Sequence, residues 1–173
     1  MIAQGRMPRH ASRGVTLIEL MITLVILAIL ATVGVPSMIG LIRDARLSTY
    51  TDLLVNTLNL ARIEAIKQRK DMEVCTAADP NAATTTACAS GIDWDNGVMI
   101  FDGVSMIRRE PFQGGVTVKE KNSVESVVFT GTIGNAVPTA EFYLCIPGRP
   151  QQQVNVLASG RVSKQVNSTM ICS

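Results

Sequence analysis

Histidine is nearly absent from this sequence, and the one present, His10, lies ahead of a long apolar run. None of the four cysteines, Cys75, Cys88, Cys145 and Cys172, has C-x-x-C spacing. A zinc centre would need such spacing or several histidines, so the expected metal content is none. No serine stands in a nucleophile elbow and no glycine-rich phosphate loop is present. Acids are missing from both ends. None precedes Glu19, and none follows Glu141 to the C-terminus, where Arg149, Arg161 and Lys164 are the only charged side chains. Internal repeats and long low-complexity segments are also absent. These absences argue against an enzyme and against a cofactor, and direct attention to structure and interaction.

What the chain has in excess is concentrated near its start. Of 173 residues, 47% are apolar, and residues 15–35 form an almost unbroken apolar run interrupted by Thr16, Glu19, Thr23, Thr32 and Gly34. A helix over such a run, at about 1.5 Å per residue, matches a bilayer core of about 30 Å. Arg6, Arg9 and Arg13 precede it, which places that side in the cytoplasm and the rest of the chain in the periplasm. The formal charge of +2 therefore misleads: without residues 1–14 the chain carries thirteen basic and fourteen acidic side chains. A generally basic nucleic-acid binder is excluded on that count.

An exported head would oxidise its cysteines. Of the three pairings, Cys75–Cys88 and Cys145–Cys172 are favoured, because each closes a segment that reads as a loop or a terminal hairpin. Each closure is worth about 3 kcal/mol before strain is subtracted.

The N-terminal segment has three readings. A secretory signal is disfavoured by the length of the run and by the lack of a small-x-small cleavage site after it. A plain single-pass anchor fits the charges but leaves Glu19 unexplained, since a carboxylate inside a membrane helix costs a few kcal/mol and calls for a partner. The third reading comes from the residues Arg13-Gly14-Val15-Thr16-Leu17-Ile18-Glu19-Leu20. They resemble the class III prepilin signal of type IV pilin-like proteins. The resemblance implies that a prepilin peptidase cuts between Gly14 and Val15 and N-methylates Val15. It implies that Glu19 pairs with the N-terminal amine of a neighbouring subunit during assembly. Phenylalanine is usual where this chain has Val15, which bears on methylation more than on cleavage.

Beyond the run, Pro36 marks either the end of the helix or a kink. Leu47, Tyr50, Leu54, Leu58, Ala61 and Ala65 recur every three or four residues, so a kink within one helix over residues 15–70 is preferred. From Met72 the pattern changes to short β-like runs: 72–76, 97–102, 105–110, 116–119, 123–129, 141–146, 153–158 and 161–166. Asp102-Gly103 reads as a hairpin turn, and Asn81 to Ser90 as a loop. Asp93, Asp95 and Asp102 lie close in sequence but lack the later glutamate of an EF-hand, and Asp93-Trp94-Asp95-Asn96-Gly97 reads as turn chemistry. The expected class is α+β. A leader (1–14), an assembly and transmembrane helix (15–36) and an amphipathic stem (37–70) precede a β-rich head (71–173), an antiparallel sandwich or two small sheets packed on the stem.

Leu58-Asn59-Leu60-Ala61-Arg62-Ile63-Glu64-Ala65-Ile66-Lys67, Val74-Cys75, Trp94-Asp95-Asn96-Gly97-Val98 and Ser159-Gly160-Arg161-Val162 occur in that order. Together with the prepilin motif they resemble the GspH/FimT/FimU group of minor pilins and pseudopilins. The resemblance implies a minor type IV pilin that helps initiate pilus assembly and sits at or near the tip. Its implied partners are other major and minor pilins, the prepilin peptidase and the inner-membrane assembly platform. Its implied location is the inner membrane and then the pilus fibre. Two alternatives share the motif and fold: a minor pseudopilin of a type II secretion system, and a DNA-capturing pilin. The last draws on Gly160-Arg161-Val162-Ser163-Lys164, which resembles the Gly-Arg-x-Arg element of FimT-like members but places Lys164 one residue late. Arg161 and Lys164 would then make few, salt-sensitive phosphate contacts.

Overall fold

Thr16 opens the first helix. Its side-chain oxygen accepts the Glu19 N–H at 3.3 Å, and its carbonyl accepts the Leu20 N–H at 3.2 Å, which is how an N-cap threonine satisfies the first free donors. The computed structural model describes residues 15–76, 88, 93–112 and 114–172, leaving out the side chains at 33, 35–37 and 168. The elements are α1 (Leu17–Gln68), β1 (Met72–Thr76), a 3₁₀ turn (Trp94–Asn96), β2 (Val98–Phe101), β3 (Met106–Glu110), β4 (Thr117–Glu120), β5 (Ser126–Phe129), β6 (Ala136–Val137), β7 (Ala140–Cys145), β8 (Pro150–Val156) and β9 (Val162–Ile171). α1 is helical through Pro36, so the helix does not end there. The leader and Gly14 lie outside the described residues, as does the Asn81–Ser90 loop except Cys88.

The chain divides into two compact units, Met1–Gly40 and Leu41–Ser173. In the first, the described part of α1 exposes its large apolar side chains throughout, from Leu17 to Leu30. Among the described residues no helix is long and apolar enough to cross a membrane. The span expected over 15–36 includes positions 33, 35 and 36, whose side chains lie outside the description.

In the second unit the stem half of α1 carries the core. Leu47, Leu54, Leu58, Ala61 and Ala65 are buried on one stripe, and Tyr50 packs edge-on against Phe112 with ring centroids 5.7 Å apart. Thr51 and Thr57 are buried too, because each hydroxyl donates to the carbonyl four residues back, at 2.7 and 2.9 Å. Two antiparallel sheets share this core: a five-stranded sheet in the order β3-β2-β1-β5-β6 and a four-stranded sheet in the order β4-β7-β8-β9. Val74 stands between Ile100 and Val127 in the first; Phe142 faces Val154 in the second, and all five are fully buried. Trp94 joins the two. Its ring meets Phe142 edge-to-face at 4.8 Å and its indole N–H donates to the Val124 carbonyl at 3.1 Å.

Disulfides join Cys75 to Cys88 and Cys145 to Cys172. The first covers a small cluster of Cys75, Met99, Phe101 and Met106. The second holds the end of β9, where the Cys172 N–H donates to the Arg149 carbonyl at 2.9 Å. β9 consequently runs to Ile171, five residues beyond the expected end. β6, only two residues long, is too short to show a strand pattern in the sequence; it pairs with β5 through Phe129 and Ala136.

The three clustered aspartates are spent on backbone donors. Asp93 accepts the Asp95 N–H at 3.1 Å, Asp95 accepts the Val118 N–H at 2.5 Å, and Asp102 accepts those of Val104 and Ser105 at 2.8 and 2.6 Å. The Ser105 and Val104 N–H groups, and then the Lys70 ammonium at 3.1 Å, hold the Asp102 carboxyl down from the ordinary 3.8 to about 2. A folded value below the unfolded one means the turn's contribution is complete above about pH 4 and disappears as pH falls through about 2. A carbon-detected NMR titration of the Asp102 carboxyl should give a midpoint near 2. Lys70→Ala should raise it only part of the way to 3.8, since the backbone bonds act first. A wild-type midpoint at the ordinary value would refute this account.

At the β8–β9 turn, Gly160 adopts φ +73° and presses on the loop before β6. A methyl group there would stand 1.9 Å from the Gly134 carbonyl oxygen and 2.9 Å from Nε of Arg62, which lies across both glycines from α1. Gly160→Ala should therefore destabilise the head by about 2 kcal/mol or more, from the left-handed backbone and the clash together. Urea unfolding checks this, with Gly148→Ala as a control because a methyl there meets nothing within 4 Å.

Candidate functional site

The residues expected to act fall at two places, one in each unit. At the N-terminus, Val15 is exposed and precedes α1. Glu19 lies in the first turn of α1, exposed, with exposed Ile18, Leu20 and Ile22 around it. Thr16 and Glu19 stand in capping-box spacing, and the bond from the Glu19 N–H to the Thr16 hydroxyl is formed. In the sequence Thr16 reads only as an interruption of the apolar run; the threonine–x–x–glutamate spacing was the signal that would have marked it as the cap. A carboxylate in the first turn is also favoured by the positive end of the helix dipole. The segment thus presents a carboxylate among the exposed apolar side chains of the described N-terminal part of α1.

The second place is the four-stranded sheet of the head. Lys164 does not stand free. Its ammonium meets Asp52 at 2.6 Å and the Ser48 hydroxyl at 3.5 Å, both on α1. Arg161 lies on the other side of the sheet, in an open cleft of about 590 Å³ lined by Asn122, Glu141, Gln153, Asn155 and Gln165. Side chains alternate along a strand, so Arg161 and Ser163 share one face and Lys164 the opposite one. The structure does not bring Arg161 and Lys164 together.

The cleft is built around Glu141. Its carboxylate accepts the Tyr143 hydroxyl, the Gln153 amide at 2.6 Å and the Lys121 ammonium at 3.0 Å. The Tyr143 hydrogen bond foremost, helped by Lys121, lowers the Glu141 carboxyl against its desolvation. The same bond raises the Tyr143 phenol, and the bond to Glu141 raises the Lys121 ammonium. The Arg161 guanidinium makes no hydrogen bond or ion pair among the described residues. The other C-terminal cation, Arg149, is paired with Asp44 of α1.

Two family models match the chain: Type II transport protein GspH over residues 51–160, and the Prokaryotic N-terminal methylation motif over residues 9–35. No curated protein sequence matches it significantly. Among solved structures, the type IV minor pilin FimU of Pseudomonas aeruginosa strain PAO1 is similar in two crystal forms, with 23% identity in both. One aligns with a TM-score of 0.58 over 76% of this chain and 96% of that one; the other with 0.55 over 73% and 97%. At that identity the likeness is one of fold, an N-terminal helix on an antiparallel head. The GspH match covers more than half of the sequence and takes in the stem from Thr51 and strands β1 to β8; the chain belongs to the GspH family of pilin-like proteins and carries its N-terminal methylation motif.

Proposed function

We propose that this chain is a minor type IV pilin that helps start a pilus and is incorporated at or near its tip. Prepilin peptidase removes residues 1–14 by cutting after Gly14 and methylates Val15. The apolar N-terminal helix holds the protein in the inner membrane, with the disulfide-bonded head in the periplasm, until the assembly platform passes it into the fibre. Glu19 is the assembly residue. It pairs with the new N-terminal amine of a neighbouring pilin, and the two desolvated charges satisfy one another where either alone would be penalised. The observation that carries this reading is a single exposed carboxylate in the first turn of an apolar helix, at the fifth position after Gly14. The reading involves no cofactor and no catalysis.

A minor pseudopilin of a type II secretion system would use the same helix in the same way. Deleting the gene separates the two: loss of piliation and motility supports the pilus, and loss of secretion with normal pili supports the pseudopilin. A DNA contact at the C-terminal turn would rest on Arg161 alone, since Lys164 is engaged by Asp52.

Glu19→Ala should leave processing and membrane association intact and reduce incorporation into sheared fibres at least about tenfold, matching loss of a buried pair worth a few kcal/mol. Mass spectrometry of the membrane fraction reads the processing, and immunoblots of the fibres read the incorporation. Normal incorporation of the alanine variant would overturn the assigned role.

A further inference from the structure

Each sheet has two edges, and an uncovered edge strand invites pairing by another chain. Three of the four edges here are blunted. β3 carries Arg108, Arg109 and Glu110 in five residues. β4 carries Lys119 and Glu120, and the Val118 N–H is already taken by Asp95 of the 3₁₀ turn. β6 is two residues long and is followed by Pro138.

Among the described residues β9 is less protected: its one side-chain cap comes late, where the Thr169 N–H donates to the Asn167 side chain at 3.3 Å, and Val162–Val166 carry none. It is the longest strand, ten residues without proline or glycine, and lies at the free end of the β4-β7-β8-β9 sheet. Its one charge, Lys164, is tied to Asp52. Val166, Met170 and Ile171 are 58%, 57% and 60% exposed. The Leu157 N–H donates to the Arg161 carbonyl at 3.0 Å, which sets the alternation of the β8–β9 ladder. With Asn155 opposite Ser163 and Gln153 opposite Gln165, residues 163, 165 and 167 bond to β8. The backbone groups of Val162, Lys164 and Val166 therefore point away from the sheet.

We infer that β9 is an acceptor edge for an extended strand of a different protein, one bearing apolar residues at alternate positions and a carboxylate opposite Arg161. Main-chain hydrogen bonds along β9 would supply affinity, and the side-chain pattern would supply selectivity. The carboxylate follows from charge. From Phe142 to the C-terminus there is no acid, Arg149 and Lys164 have their partners on α1, and the guanidinium of Arg161, just before β9, has none among the described residues. The same count disfavours a second copy of this chain, which would bring one acid-free segment against another. The inference stands on the head alone and holds or fails independently of the fate of residues 1–14.

The test uses the full chain in detergent micelles and synthetic ten-residue peptides of alternating valine and threonine. One peptide has aspartates at its N-terminal end, one at its C-terminal end, and a control has lysines in their place. Saturating aspartate peptide should slow hydrogen exchange of the Lys164 and Val166 amides about tenfold or more, while Gln165, already bonded to β8, changes little. Whichever aspartate peptide binds more tightly reports a parallel or an antiparallel docking. Arg161→Ala should weaken it about two- to fivefold, the size of an exposed ion pair. Val166→Pro removes an outward N–H while leaving the β8 ladder whole, so it should fold and fail to bind. Should that variant not fold, Val166→Lys blunts the edge without touching the backbone. No exchange protection at millimolar peptide overturns the inference. So does concentration-dependent protection of the same amides in the chain alone with a dimer mass, which assigns the edge to self-pairing. Retardation of a duplex oligonucleotide that Arg161→Ala abolishes, with no peptide binding, assigns Arg161 to phosphate instead.

Discussion

One helical stripe organises the head. Leu47, Leu54, Leu58, Ala61 and Ala65 are the buried apolar side chains of α1, and they lie in a single cluster with residues of both sheets. Burial of each large apolar side chain contributes about 1.5–3 kcal/mol, so the stripe outweighs any single ion pair between stem and sheet. The polar contacts to α1 then decide register. Arg46 donates to the Gly114 carbonyl at 3.0 Å, Asp44 takes Arg149 and Asp52 takes Lys164. These fix the loops and β9 at defined heights along the helix, and the disulfide at Cys172 keeps the end of β9 from fraying.

Much of this was legible in the sequence because its signals are periodic. A stripe repeating every three or four residues can only be a helix face, and the strand runs of β1, β2, β3 and β7 fall within a residue or two of their observed bounds. The misses have local causes. β6 is too short to show any alternation. β9 loses its alternation at Asn167-Ser168-Thr169, where the Thr169 N–H turns to the Asn167 side chain at 3.3 Å and the pairing with β8 shifts register before Ile171. The buried hydroxyls of Thr51 and Thr57 look like surface residues until their bonds back along the helix are seen.

The candidate site was legible in a different way. The N-terminal motif is a contiguous string, so its residues are readable in order without any fold. The C-terminal cations are not. Arg161 and Lys164 look equivalent in sequence, and strand periodicity alone places them on opposite faces. What periodicity cannot supply is the partner: Asp52 lies 112 residues from Lys164, and only the closing of β9 over the stem brings them together. A residue's neighbours in the chain constrain its conformation, whereas its charge partner belongs to the fold.

That distinction bears on how this head can interact at all. A surface cation answered by an internal carboxylate holds the fold and is largely spent; a cation without one is available to a partner. Among the cations of the C-terminal segment the first condition describes Arg149 and Lys164 and the second Arg161. The same division runs through the sheet edges, where β3, β4 and β6 are closed by charge, by a side-chain cap or by brevity, and β9 is left with its outward amides unmet. An uncovered edge next to an unanswered cation is a liability for a protein that stays alone. Under the proposed reading, in which the N-terminal helix meets a neighbouring pilin, the two exposures would have one physical sense: each is a surface that another chain would complete.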